Sequence, residues 1–266
     1  MPRAPRFDEP GTLHHVTIRS VEGRRLFPTD GDSLDLLQRF ARWLRATESE
    51  CIAWSLDGNH AHWVLRRGSG SLAELMGRFT SAFAQHFNWR YGRVGHLFQG
   101  RYQSRRITDE RDLRWVVLYA MGNPVRHGLG DVPWLDEYAF SGWSGLIGAR
   151  PAYEFESFDM ALSLYGETVA EARANLRDAL ALAIATRWRP PADDRVEVVI
   201  AEVCRRRGIP RSAVLGVACD AREAQTEVIL QAVASHAIPR RALAAALGIS
   251  QSRITRAQVA ASRERR

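Results

Sequence analysis

The segment His60-Ala61-His62 puts two imidazoles at alternate positions of what reads as an extended strand. Side chains at i and i+2 project from one strand face, so both rings can reach a single cation. The same spacing suits a turn-capping histidine beside a satisfied surface one, and the residues alone leave both readings open. A second feature is Tyr119, which stands in an i, i+4 relation to Asn123 near the end of a helix. A phenol, with a pKa of about 10, attacks phosphate poorly unless a cation polarises the scissile group or lowers the nucleophile's pKa. Without such a partner Tyr119 is ordinary half-buried packing. Third, no Asp or Glu occurs between Leu75 and Thr108, where Arg78, Arg90, Arg93, Arg101, Arg105 and Arg106 alternate with aromatic residues. Phe79, Phe83 and Phe87, four apart, read as one core stripe. The loop-rich 90–106 portion combines arginine with aromatics in the way that suits single-stranded nucleic acid, and a merely solvated basic face is the alternative.

Positioning these residues requires a particular set of elements. Leu13–Arg19 alternates as a strand, and Leu34, Leu36, Leu37, Phe40 and Leu44 recur at helical spacing from Ser33, the expected cap, to about Ala46. Glu50–Leu56 and His62–Arg66 read as the strands of a hairpin around Asp57-Gly58-Asn59. Ser71 to Trp89 is a long helix, and Tyr102–Ile107 is a strand. Asp109 caps the next helix with Asp112 as a capping-box-like partner, and Pro124 ends it. This succession predicts an α+β fold with a ferredoxin-like β-α-β-β-α-β catalytic domain over residues 1–150. An alanine-rich helix over Val169–Arg187 and a Pro-containing linker, Trp188 to Asp194, make a helical extension over 151–194. An all-α domain follows over 195–266, with breaks at Gly208-Ile209-Pro210, near Asp220 and at Pro239.

Composition narrows the classes. The chain has 266 residues, 45% of them hydrophobic and 25% charged, so it can bury a core and is not disordered. Its formal net charge is +7, and all 37 basic residues are arginine. Each cation is therefore a planar fork suited to phosphate and to base stacking, which favours a polyanionic partner. No apolar run nears the roughly 18 residues of a membrane helix, and no apolar segment follows Met1-Pro2-Arg3-Ala4-Pro5-Arg6, so neither membrane nor secretory signal is expected. Cys51, Cys204 and Cys219 form no disulfide or four-thiolate pattern, consistent with a reducing cytoplasm.

Several motifs in order resemble the single-tyrosine HUH transposases, and within them the REP-associated tyrosine transposases. They are Asn59-His60-Ala61-His62, the run from Arg93 to Tyr102 (Arg-Val-Gly-His-Leu-Phe-Gln-Gly-Arg-Tyr), and Tyr-x3-Asn followed by Pro-Val-Arg-His-Gly-Leu at Tyr119 to Leu129. Pro10, His15, Val16 and Arg19 ahead of them, and Trp134 to Gly148 behind, also sit where that family has them. The resemblance covers about the first 150 residues. It implies that His60 and His62 hold a divalent cation, Mg²⁺ or Mn²⁺, with Asn123 completing the site. It implies that Tyr119 attacks a phosphodiester of single-stranded or hairpin DNA, leaving a 5′-phosphotyrosine and a free 3′-OH. Met121 and Gly122 replace the His and bulky aliphatic residue often found there, and Asp57-Gly58 replaces the usual Met-Pro. His15, on the first strand, is expected to support the site rather than to ligate.

In the C-terminal part, Ala244-x3-Gly248-Ile249-Ser250-x3-Ile254 has the spacing of a helix-turn-helix. Gly248 permits the turn, Ser250 caps the second helix and Ile254 anchors it. That helix would present Gln251, Ser252, Arg253 and Arg256 to duplex DNA; an amphipathic hairpin with a wet arginine face is the alternative. The region from Arg195 resembles, more loosely, the DNA-binding end of the bacterial replication initiator DnaA. Arg205-Arg206-Arg207 would add phosphate contacts or form a solvated charge run.

The expectation is thus a DNA nickase or strand transferase with DNA-contacting Arg90, Arg93, Arg101, Arg105, Arg106, Gln251, Arg253 and Arg256. A catalytically decayed DNA-binding regulator and a metal-dependent hydrolase without covalent catalysis are the competing readings. A homodimer, and a site completed within one chain or across two, are left open by the sequence.

Overall fold

The structure, a computed structural model, describes residues 8–186, 194–210, 213–214, 219–236, 238 and 240–264. The chain divides into two compact units, Met1–Trp188 and Arg189–Arg266. The expected linker falls almost wholly on 187–193, outside the described residues, as does Pro239.

In the first unit the succession is β1 (Leu13–Arg19), α1 (Asp30–Ala46), β2 (Glu50–Asp57), β3 (His60–Arg66), α2 (Leu72–Arg90), β4 (Gln103–Ile107) and α3 (Glu110–Met121). The strands form one antiparallel sheet ordered β2-β3-β1-β4. The period-2 alternation of β1 sends Val16 and Ile18 toward α1 and α2, where they meet Leu36, Phe40, Trp63, Phe79 and Phe83 in one core. Phe79, Phe83 and Phe87 all join it, as their spacing indicates. His15 and Thr17 consequently belong to the other sheet face.

That second face carries a core of its own. Ile52, Ala53, Val64 and Ile107 pack against Leu113, Val116, Val117 and Ala120 of α3. A register shift between Cys51 and Ala53 turns two successive residues, Ile52 and Ala53, to this face. Short helices α4 (Asn123–Arg126), α5 (Val132–Glu137), α6 (Trp143–Leu146) and α7 (Asp159–Ser163) and the longer α8 (Val169–Ala185) follow. Trp143, Leu146, Leu176 and Leu180 extend the second core, so the helical extension packs on the sheet domain. Each such side chain contributes about 1.5–3 kcal/mol by leaving water.

Several boundaries differ from those expected. Helix α1 starts at Asp30, not Ser33: the Thr29 N–H and hydroxyl both donate to Asp32 Oδ2, at 2.9 and 2.8 Å, and Ser33 is buried inside the first turn. β3 starts at His60, which reduces the hairpin loop to Gly58-Asn59, and β4 starts at Gln103. Asp109 does cap α3, accepting from the Asp112 N–H at 2.8 Å. Pro124 does not end the helical path; after Gly122 it occupies the first turn of α4, where a missing N–H costs nothing.

The second unit contains α9 (Asp194–Arg207), α10 (Cys219–His236), α11 (Arg240–Leu247) and α12 (Gln251–Glu264). Val199, Ile200, Val203, Val228, Ile229, Leu243, Leu247 and Ile254 form its core. Gly248, at φ +66°, makes the turn between α11 and α12. The Arg205-Arg206-Arg207 run pairs with carboxylates: Arg205 with Glu202, Arg206 with Glu227 at 3.2 Å, and Arg207 with Glu227 and Glu223. Among the described residues, no helix is long and apolar enough to cross a membrane.

Candidate active site

The second face of the sheet is covered by α3 and its followers at one end only, and the uncovered end forms a cleft of about 640 Å³. Its walls include Thr17 and Arg19 from β1, His60 and His62 from β3, Gln99, Gly100 and Arg101 from the loop before β4, and Tyr119, Arg126 and His127. Register explains the convergence. Arg19 and Thr17 lie directly opposite His60 and His62, and Asp57 and Ser55 flank the same two histidines from β2. Helix α3 is tied down at its C-terminal end, with Ser55 Oγ donating to Ala120 O at 2.6 Å and Ser141 Oγ donating to Met121 O at 2.9 Å. These bonds fix the stretch that carries Tyr119 and Asn123.

The histidines are closely spaced. The rings of His60 and His62 have centroids 4.9 Å apart and stand nearly perpendicular. His62 Nδ1 lies 3.0 Å from His15 Nε2, with the two rings stacked, so His15 occupies one nitrogen of His62. The other nitrogen, His62 Nε2, is buried and has no hydrogen-bond partner. Burial above all holds the His62 imidazole well below its usual pKa, with His15, His60, His127 and Arg126 pushing the same way. Burial also lowers His60, against the opposing pull of Asp57. Both rings are therefore neutral at pH 7, the form in which imidazole binds metal.

Around His60 the oxygen atoms gather. Asn59 Oδ1 lies 2.8 Å from Nδ1, while Asn123 Oδ1 at 3.1 Å and Asp57 Oδ2 at 3.4 Å both approach Nε2. One ligand atom from each of Asp57, His60 and His127 lies within 4.8 Å of the other two. His127 also packs edge-on against His60, with centroids 4.9 Å apart. A neutral imidazole has one N–H to share among these acceptors, and the buried Asp57 Oδ2 and Asn123 Nδ2 lack hydrogen-bond partners. Carboxylate and amide oxygens converging with unprotonated nitrogens suit a divalent cation such as Mn²⁺ or Mg²⁺, and the orphaned His62 Nε2 adds a donor. The residues present fit the group.

Tyr119 is half-buried, its ring edge-on to His62 at 5.6 Å and to His15 at 5.8 Å. Arg126 lies over the same ring, with Cζ 5.2 Å from the centroid, and Nη1 donates to the Tyr119 hydroxyl at 3.3 Å. The nucleophile candidate, the histidine pair and a guanidinium thus share one cleft. Asp57, Arg126 and His127 were not among the expected site residues, although Arg126 and His127 lie within the Pro-Val-Arg-His-Gly-Leu motif. Asp57 and His60 flank a two-residue turn, which makes them a facing pair. His127 stands eight residues from Tyr119 with Asn123 midway, a single helical stripe if the path continues past Pro124.

The expected DNA-contacting arginines are spread more widely. Arg101 lies on the cleft wall. Arg90 and Arg93 stand at the far end of the same loop, over the rings of Tyr91 and Phe87. Arg105 is taken up by Asp112 in a two-pronged pair, and Arg106 is exposed on β4. In the second unit, Gln251 and Arg256 are exposed and Arg253 half-buried on α12.

No family model and no curated protein sequence matches the chain. Seven solved chains are similar in structure. One is described as the REP-associated tyrosine transposase bound to a REP hairpin. It is 21% identical with a TM-score of 0.47, over 59% of this chain and 91% of that one.

Proposed function

We propose that this chain is a metal-dependent DNA nickase and strand transferase that acts on single-stranded or hairpin DNA through a covalent 5′-phosphotyrosine at Tyr119. The observation that carries the reading is that Tyr119 lines the same cleft as His60 and His62, on a chain whose motifs pair these residues. The sheet is read as ferredoxin-like, and α11–α12 as a helix-turn-helix that adds duplex contacts through Gln251, Arg253 and Arg256.

In the reaction the Tyr119 oxygen forms a bond to phosphorus as the bond from phosphorus to the 3′ oxygen breaks. The phenol proton is lost and the departing 3′ oxygen gains one, so the strand ends as a free 3′-OH. Attack by a 3′-OH on the phosphotyrosine reverses the step and rejoins strands. A divalent cation would be held by His60 with His62 and Asn123, or with Asp57 and His127, and would supply positive charge against the phosphate oxygens. Arg126 holds the Tyr119 hydroxyl and places a fixed cation beside it. His15 orients His62 by occupying Nδ1. Arg19 and Arg101, on the cleft walls, meet the backbone of the strand.

The test is a gel of hairpin DNA labelled at its 3′ end, incubated with Mn²⁺ and protein and run under denaturing conditions. The wild type shifts the label into a protein adduct, and Tyr119→Phe abolishes the shift while retaining DNA binding. Cleavage that survives Tyr119→Phe but fails in His60→Ala makes the chain a non-covalent hydrolase. DNA retention without any cleavage makes it a binding protein.

A further inference from the structure

The end of α2 carries a surface that the cleavage chemistry does not use. Trp89 is 80% exposed, Val94 97% and Tyr91 37%, three large apolar side chains within six residues. Isolated exposed apolar residues are ordinary; a cluster held in place is not. His86 lies beneath Trp89 with ring planes 20° apart and centroids 5.9 Å apart. His86 is itself fixed, its Nδ1 2.9 Å from Asp35 Oδ2, and Arg39 Nε donates to the same oxygen at 2.8 Å. Tyr91 donates its hydroxyl to Asp32 Oδ2 at 2.7 Å, with Arg90 over its ring. Asn88 Nδ2 donates to Gly95 O at 2.8 Å, which closes the loop that follows.

We propose that this end of α2 is a docking platform for an unpaired base of a nucleic acid strand, with Trp89 as the stacking ring. The inference rests on the nucleic-acid reading above and adds a contact outside the cleft. Three observations choose this occupant. The open face of a planar indole, backed by a second ring, offers what any base can stack on. Asp32 and Asp35 are already engaged by Tyr91, Arg90, His86 and Arg39, so the cation of Arg93, over the Phe87 ring, is not opposed by a free carboxylate from either. Finally, a single loop joins the platform to the cleft wall. From Tyr91 to Gln99 is eight residues, at most about 29 Å of chain, and Gln99, Gly100 and Arg101 line the cleft wall. A strand leaving the cleft covers that span in fewer than about ten nucleotides. The bracing of His86 and Tyr91 means that little side-chain freedom remains to be lost when the base arrives.

The test uses the full chain carrying Tyr119→Phe, with chelator present, so that binding is read without cleavage. Fluorescein-labelled hairpins with single-stranded tails of about ten nucleotides are titrated and followed by anisotropy. Adding Trp89→Ala is expected to weaken binding about tenfold, while Trp89→Phe restores most of it. An abasic position scanned along the tail should weaken the Trp89 protein at one place and leave the Trp89→Ala protein unaffected there. A merely structural role would not produce that coupling. Equal affinity of the two proteins for every tail overturns the platform while leaving the cleavage reading intact. A dimer that Trp89→Ala converts to monomer with DNA affinity unchanged assigns the face to a second copy of this chain, and also overturns it. If the parent protein binds none of the hairpins, platform and nucleic-acid reading fall together.

Discussion

Acid should destabilise the metal-free protein through His62, and the size of the effect follows from its surroundings. The imidazole is buried between β1, β3 and α3, and burial first, then His15, His60, His127 and Arg126, depress its pKa well below 6.5. In the unfolded chain the same histidine titrates near 6.5. Above that pH both states are neutral and the group is indifferent to pH. As pH falls through 6.5 the unfolded chain takes up a proton that the folded one refuses, so stability is lost downward from there until the folded pKa is reached. The loss between pH 8 and pH 5 is at most about 2 kcal/mol for this one group, reached if the folded ring stays neutral throughout. The assay is urea unfolding of protein treated with chelator, at pH 8 and pH 5, for the wild type and His62→Gln. The glutamine variant has its own baseline stability, so the comparison is of pH dependence alone. It should lose less than the wild type over the interval, by up to about 2 kcal/mol. Equal losses in the two proteins would refute the claim that the site holds a buried neutral imidazole.

The remaining expectations concern the cation and the DNA. His15→Phe removes the partner at 3.0 Å from His62 Nδ1, and Mn²⁺ affinity measured by electron paramagnetic resonance should fall about 10- to 100-fold. Asp57→Asn keeps the shape but not the charge of the carboxylate near His60 and His127; Mn²⁺ affinity should fall by at least about tenfold, and an unchanged affinity assigns the cation to His60, His62 and Asn123 instead. Binding to single-stranded DNA should weaken linearly in log salt, and Arg101→Ala should make the slope about 0.7 shallower if its guanidinium meets a phosphate.

Much of the arrangement was legible because it depends on local periodicity. β1 has the expected bounds, and the period of two puts His60 and His62 on one face of β3. Asp109 caps α3 as its sequence indicates, which sets the phase of Tyr119. What was not legible has identifiable physical causes. Ser33 is an acceptable cap by type, but Asp32 can bind back to the Thr29 N–H and hydroxyl, so the helix starts a turn earlier. Pro124 reads as a terminator, yet after Gly122 it begins a new turn, which carries Arg126 and His127 back to the cleft. Asp57 appears in the sequence as a departure from a motif. Only the two-residue turn reveals that it faces His60. The packing of α7 and α8 on the second sheet face depends on contacts distant in sequence, which no local pattern encodes.

The proposed cation site and the phenol can be joined in one measurement. Wild-type protein is reacted with hairpin DNA and Mn²⁺, digested with nuclease and protease, and the peptides are mapped by mass spectrometry. A nucleotide phosphate covalently attached to Tyr119, absent when Mn²⁺ is withheld, is the expected result. Nicked DNA with every tyrosine unmodified, or an adduct on another residue, would contradict the account.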